Sequence, residues 1–269
     1  MTGAAHWRIL QDDLTRWRDE GLVAPFWLRD DDAIAPTTSL DRLLDITTRH
    51  AVPVAVAVIP AFTGEALAQC LATARHATPV VHGWSHENHA PHGQKKQELG
   101  VHRPLESVLA DLAAALQRMR QLHGDRFVPM LVPPWNRIDP AFFPLLGGLG
   151  FSALSCFGPA PPATSVPTIN THIDLIDWRG TRGGRDHASL VRDIVDHLRR
   201  AGRNGEAVGI LSHHLVHDEA AWSFLEQLFE LTAARPGCKW LSAAELIGAD
   251  GRRLRAIGLT GPASQTSRI

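Results

Sequence analysis

Phe26-Trp27-Leu28-Arg29-Asp30-Asp31-Asp32 decides the fold: a short apolar run that ends in a block of charge. The same grammar recurs along the chain. Pro79-Val80-Val81 leads into His82-Gly83-Trp84-Ser85-His86, and Met130-Leu131-Val132 into Pro133-Pro134-Trp135-Asn136. Ile173 to Ile176 leads into Asp177-Trp178, and Val208 to Leu211 into Ser212-His213-His214. Short continuous apolar runs of this kind fit strands buried on both faces. If the strands are parallel, every polar cluster falls on one rim, the rim where such sheets and barrels place their chemistry.

Between these runs the pattern is helical. Trp7, Leu10, Leu14 and Trp17 fall at three-to-four spacing and predict a helix over about 6–20. Ser39 is a plausible N-cap for a helix reaching His50. Strands are expected near 25–30, 54–59, 79–82, 128–132, 151–155, 173–176, 207–212 and 238–241. Further helices are expected near 64–75, 105–122, Pro140 to Leu149, 188–201 and 218–234, with a long polar loop over 83–103. This alternation without a linker predicts one α/β barrel-like domain over 1–248 and a loosely held tail over 249–269.

Composition narrows the function classes. The 269 residues are 44% hydrophobic, enough for a real core. Lysine plus arginine (27) nearly balances aspartate plus glutamate (28), so nothing points to nucleic acid or an acidic membrane as partner. Cys70, Cys156 and Cys238 are odd in number and widely spaced, which is neither a disulfide framework nor a zinc knuckle. No apolar signal core and no run of eighteen apolar residues is present, so a cytoplasmic location without a membrane span is expected.

Each polar cluster has a structural reading beside a chemical one. Asp30-Asp31-Asp32 can cap the following helix, or supply a metal ligand and a general base. His82 and His86 are four apart, a spacing that can aim two imidazoles at one metal. Fifteen histidines make such pairs unsurprising, and His213/His217 is a second. One Asp with two His is nevertheless a full protein set for a zinc-type site that leaves a position open for water.

Pro133-Pro134-Trp135-Asn136 reads as a rigid turn with an aromatic lid, or as a groove wall offering a backbone N–H to an oxyanion. Asp177-Trp178 is strand-end packing, or a carboxylate that orients a catalytic histidine. Of His213 and His214, one can be a satisfied core histidine and the other a general acid. His89, His92 and His102 are expected on the surface, with Lys95-Lys96 as a solvated charge pair.

In this order the motifs resemble those of the NodB-type polysaccharide deacetylase superfamily, carbohydrate esterases that remove acetyl groups from N-acetylated glycans. The resemblance spans about residues 25 to 218 and implies a distorted barrel, typically of the (β/α)7 type. It implies Asp31 as general base, with Asp30 the neighbouring alternative, and Asp32, His82 and His86 as metal ligands. Gly83 falls where a hydroxyl residue usually sits. The groove motif corresponds to Val132 to Trp135, with Trp135 in the place of a tyrosine and no arginine. Arg29 or Arg137 could stand in for that arginine. Asp177-Trp178 and Leu211-Ser212-His213 match the last two motifs.

The resemblance implies one divalent metal, zinc foremost, with cobalt, nickel or manganese possible. It also implies a carbohydrate or amino-sugar substrate held by Pro134, Trp135, Asn136, Arg137 and Trp178. Asp31, His213 and Asp177 would act as base, acid and orienting carboxylate. Two other readings remain: a non-catalytic sugar-binding or regulatory relative, and a hydrolase of a non-sugar amide.

Overall fold

The protein is described here by a computed structural model covering residues 4–161, 163–204 and 206–248. The 249–269 tail expected from the sequence lies outside the described residues. Strands β1 (Ala24–Ala33), β2 (Val54–Val58), β3 (Ala77–His82), β4 (Met130–Val132) and β5 (Ala153–Leu154) belong to the first part of the chain. Strands β6 (Ile173–Asp174), β7 (Val208–Ser212) and β8 (Cys238–Trp240) follow. They form one sheet in the order β5-β4-β3-β2-β1-β7-β6, with β8 paired to the start of β1, and every ladder is parallel.

Regular pairing stops at β5 and β6, and irregular backbone bridges the gap. Ile169 N–H donates to Leu154 O (2.8 Å) and Thr171 N–H to Cys156 O (3.0 Å), while His172 N–H donates to Gly209 O (2.7 Å). The segment thus satisfies its backbone on both sides without forming a long strand.

Helices α1 (Ala4–Asp19), α2 (Thr38–Arg49), α3 (Glu65–Thr73) and α4 (Leu105–His123) come first, then α5 (Leu146–Leu149), α6 (His187–Asn204), α7 (Glu219–Thr232) and α8 (Ala243–Gly248). None of the described helices is long and apolar enough to cross a membrane.

Two local expectations are corrected. The N-cap of α2 is Thr37, whose Oγ1 accepts from Leu40 N–H at 3.0 Å, so the helix starts two residues earlier than a cap at Ser39 would place it. The segment from Pro140 to Leu149 is a 3-10 helix over Pro140–Leu145 followed by the short α5, because Pro144 removes a backbone donor within it.

The pleat sorts the strand residues into two cores. Phe26, Leu28, Val54, Val56, Val58, Val81, Leu131 and Leu154 join the large cluster shared with the helices. Their neighbours Trp27, Ala55, Ala57, Val80, Met130, Val132 and Ala153 make a second, smaller cluster on the opposite face of the sheet. The second set is rich in alanine because one large side chain, Trp27, occupies the space, and its Nε1 donates to Asn170 O at 3.1 Å. Gly209 is required there: a Cβ would stand 2.5 Å from both Trp27 Nε1 and Asn170 O. Ala243 and Leu246 of α8 pack on this inner cluster from the N-terminal end of the strands. Along β1 the same face continues from Trp27 to Arg29 and Asp31, so the inner column turns from apolar to charged as it approaches the C-terminal rim.

Candidate active site

Strand β1 runs further than the apolar run suggests, because the aspartate triplet lies within it. Asp30 still pairs with Val56 of β2 and Ser212 of β7, and the register then breaks before Ala33. At the break Asp32 takes a left-handed conformation (φ 75°), one that aspartate tolerates better than most residues. Its Oδ1 lies 3.0 Å from His82 Nε2 and 3.3 Å from His86 Nε2. His82 ends β3, and His86 sits on the loop after it, also left-handed at φ 59°. These three residues form a group whose ligand atoms all lie within 4.8 Å of one another.

The hydrogen bonding of His82 shows that this group suits a cation. Its Nδ1 lies 3.0 Å from Val132 O, an acceptor only, so Nδ1 carries a proton. A neutral imidazole then turns the Nε2 lone pair toward a carboxylate oxygen 3.0 Å away, and the two repel unless a positive charge lies between them. Burial lowers the His82 pKa, but the Asp32 hydrogen bond and the charges of Asp31 and Asp32 outweigh it and raise the net value. Asp32 is pushed up by burial and pulled further down by the His82 hydrogen bond and neighbouring imidazoles, ending well below the usual carboxylate range. His86 is lowered by burial and by His82. With both imidazoles neutral the group is anionic, and a proton or a divalent ion would offset that charge.

Beside it, Asp31 is held bidentately by Arg29, Nε to Oδ1 at 2.9 Å and Nη2 to Oδ2 at 3.0 Å. Both side chains are buried, yet Asp31 borders the cavity. The remaining Arg29 donors go to Ser155 Oγ (2.7 Å), Ser155 O (3.1 Å), Cys156 O and Asn136 Oδ1. Arg29 therefore stands where the sequence left a choice between two arginines. Arg137 points elsewhere and donates to Lys96 O at 2.9 Å.

Asp30 faces away from this site. Its Oδ2 accepts from Ser212 Oγ and from His214 N–H (3.0 Å), and its Oδ1 meets His214 Nδ1. Burial pushes Asp30 up, but the His214 charge and hydrogen bonds bring it below its ordinary value. His214 is correspondingly raised: burial lowers it, but the charge and hydrogen bond of Asp30, with the charge of Asp32, together outweigh that effect. His213 is the member of that pair that borders the cavity, and its Nδ1 is buried without a hydrogen-bond partner.

The expectation that Asp177 orients a catalytic histidine is corrected. Its carboxylate accepts from Gly180 N–H (3.0 Å) and Thr181 N–H (3.3 Å), closing its own turn, and makes no bond to His213. Asp174 lines the cavity instead, four residues before Trp178, whose Nε1 donates to it at 2.8 Å. Burial raises the Asp174 pKa against the pull of the His213 charge. The Trp178 ring stands edge-on to His213 with centroids 4.8 Å apart.

Trp135 and Asn136 are consecutive left-handed residues (φ 55° and 57°), a tight turn that Pro133 and Pro134 lead into. The turn sets the Trp135 ring 4.3 Å, centroid to centroid, from His86. Trp135, Asn136 and Arg137 border the cavity, whereas Pro134 packs behind it against Gly83. The cavity measures about 690 Å³.

Sequence reasoning missed several of these neighbours. Glu98 sits in the long polar loop, where one acid among many polar residues gives no signal. It is buried, and its Oε1 accepts from Trp84 N–H (3.1 Å) and Ser85 N–H (2.8 Å), tying down the loop between His82 and His86. Lys96, read as a solvated charge, and Phe157, Asp174, Arg179 and Arg182 also line the cavity.

A second group of possible ligands, His172, His197 and Glu206, lies toward the N-terminal ends of the strands. There Gly209 N–H donates to His172 Nδ1 (3.3 Å), so Nε2 carries the proton and donates to Glu206 at 3.1 Å. That arrangement is a hydrogen-bonded pair rather than a site needing a cation.

No protein-family model and no curated protein matches this sequence. Solved structures do match in fold. One is a protein from Mycobacterium smegmatis named as a candidate polysaccharide deacetylase: 17% identity, TM-score 0.63, covering 93% of this chain and 96% of that one. A peptidoglycan N-acetylglucosamine deacetylase matches at 14% identity and TM-score 0.54, over 84% of this chain and 93% of that one. A family 4 acetyl xylan esterase from Clostridium thermocellum, solved with cobalt, matches at 14% and 0.52, over 83% and 90%. The chain therefore has the polysaccharide-deacetylase fold.

Proposed function

We propose that this protein is a divalent-metal-dependent hydrolase that removes an acetyl or related acyl group from the nitrogen of an amino sugar. The observation that carries the reading is the convergence of Asp32, His82 and His86 on one point beside the Arg29–Asp31 pair. The fold likeness to deacetylases supports it. A divalent ion bound there, zinc foremost, would acidify water and polarise an amide carbonyl.

The protein's own groups supply the rest. Asp31, fixed by two bonds from Arg29 and acceptor-only, takes the proton of the attacking water. The Trp135 N–H, which donates to no carbonyl among the described residues, offers a donor to the developing oxyanion. His213, across the cavity, delivers a proton to the departing amine, so that the products are a carboxylate and a free amine. Trp178, exposed at the mouth, offers a flat face for a sugar ring.

The test is metal content and acyl release measured on the same preparations. The wild-type chain is expected to hold about one zinc after reconstitution and desalting, and to release acetate from N-acetylated amino sugars. His82→Ala is expected to lose both. Activity lost with metal fully retained would refute His82 as a ligand, and no bound metal under any loading would move the sugar-binding reading to first place.

A further inference from the structure

We infer that the substrate of this cavity carries an oxyanion, a phosphate or carboxylate, on the sugar that bears the acylated nitrogen. The inference rests on the hydrolase reading and names its substrate class. Lys96, Arg137, Arg179 and Arg182 all line the same cavity. Among the described residues none of them forms an ion pair with a carboxylate. Other surface arginines of this chain do: Arg42 with Glu219, Arg49 with Glu226 and Arg103 with Asp111. Total charge is near balance, with 27 basic and 28 acidic side chains, so unpaired cations gathered at one opening are a local excess.

The acids of the cavity do not answer that charge. Asp31 is engaged by Arg29, Asp32 faces the two histidines, and Asp174 accepts from Trp178. A divalent ion at Asp32 would make the cavity more positive still.

The backbone that carries these cations is also held in place. Asp177 closes the turn that presents Trp178, Arg179 and Arg182, and Arg182 N–H returns to Asp177 O at 2.9 Å. Arg182 itself keeps a left-handed backbone (φ 61°), a conformation that a non-glycine residue adopts only where its surroundings enforce it. On the other wall Arg137 ties down the Lys96 backbone, and the Lys96 ammonium lies 5.7 Å from the centre of the Trp135 ring. A sugar between Trp135 and Trp178 would have its acyl group toward Asp32 and its outer substituents among guanidinium groups, the side chains best shaped for phosphate and carboxylate. A neutral glycan would cover the same cations without pairing them, at a desolvation cost.

The experiment uses the zinc-loaded full chain and four probes: N-acetylglucosamine, its 1-phosphate, its 6-phosphate, and N-acetylmuramic acid. Binding is followed by tryptophan fluorescence and turnover by acetate release. At least one charged sugar is expected to bind tenfold or more tighter than N-acetylglucosamine, with an advantage that shrinks as potassium chloride is added. The phosphate and carboxylate probes separate the two oxyanions.

The double variant Arg179→Ala, Arg182→Ala is expected to bring the binding ratio toward one. Arg75→Ala, the same kind of charge change near the N-terminal end of β3, is expected to leave it. Equal or undetectable binding of all four probes, or a ratio that survives the double variant, overturns the inference. Anion-selective binding with no acyl release keeps the inference and sinks the hydrolase reading; acyl release without anion preference does the reverse.

Discussion

Asp30 and Asp31 are neighbours on one strand, both buried and both paired with a basic side chain, yet they sit in different worlds. Asp30 has both oxygens engaged, by Ser212, by the His214 backbone and by the His214 ring, and it welds β1 to β7 on the face shared with the helices. Asp31 is fixed by Arg29 on one side and borders a cavity on the other. The pleat makes the difference, turning one residue to the core and the next to the barrel interior. A buried ion pair is thus either a fastening or a tool, according to whether one edge of the carboxylate meets open space.

The strongest way to break that contrast is Asp31→Asn. It is expected to lower kcat by about 100- to 10,000-fold, the usual contribution of a general base, with metal content nearly unchanged; the buried Arg29 left beside a neutral partner also costs stability, by roughly 3–5 kcal/mol. Turnover per folded molecule within tenfold of wild type, as expected of an Asp30 variant, would erase the distinction.

Asp30→Asn is the counterpart. It leaves His214 buried beside a neutral partner and is expected to cost roughly 3–5 kcal/mol of stability in chemical denaturation. Turnover per folded molecule should stay within tenfold of wild type. Removing one donor, Ser212→Ala, should show the same pattern at roughly 1–2 kcal/mol.

Acid titration sharpens the comparison further. Burial, first among the causes, holds His123, His197 and His217 at about 4 against an ordinary 6.5. The unfolded chain takes up those protons first, so their contribution is present above pH 6.5 and lost as pH falls through 4. The Asp30–His214 pair behaves differently. The raised His214 contributes fully below 6.5 and loses its share only as pH climbs through its folded value. The lowered Asp30 contributes above 3.8 and loses its share only as pH falls through its folded value. Melting temperature is therefore expected to fall by several degrees between pH 6.5 and 4, and more steeply in Asp30→Asn, where burial without the carboxylate lowers His214 as well. A flatter slope in that variant would mean that the pair, not the isolated imidazoles, governs acid stability.

Much of this was legible in the chain because parallel strands end on one rim: the apolar runs located the strands, and the residues after them located the cavity. Contacts between distant segments were not legible. Nothing local distinguishes Asp174 from Asp177, and only the turn closed by Gly180 and Thr181 shows which carboxylate is occupied. Arg29 precedes the aspartates by so little that it reads as part of the same charged block, whereas the inward pleat makes it the partner of Asp31. Lys96, Arg179 and Arg182 lie in polar loops, where composition says nothing of which cavity a side chain borders.

Gly83 gives one last consequence, for the routes open to mutation. A Cβ there would run into Glu98 Oε2 and stand 2.6 Å from Pro134 Cδ. A serine or threonine at this position, as the resemblance would lead one to expect, cannot be installed alone while Glu98 and Pro134 keep their places. Any lineage passing between the two arrangements has to shorten residue 98 or shift the Pro133-Pro134 turn first. Residues 83, 98 and 134, distant along the chain, therefore constrain one another's history.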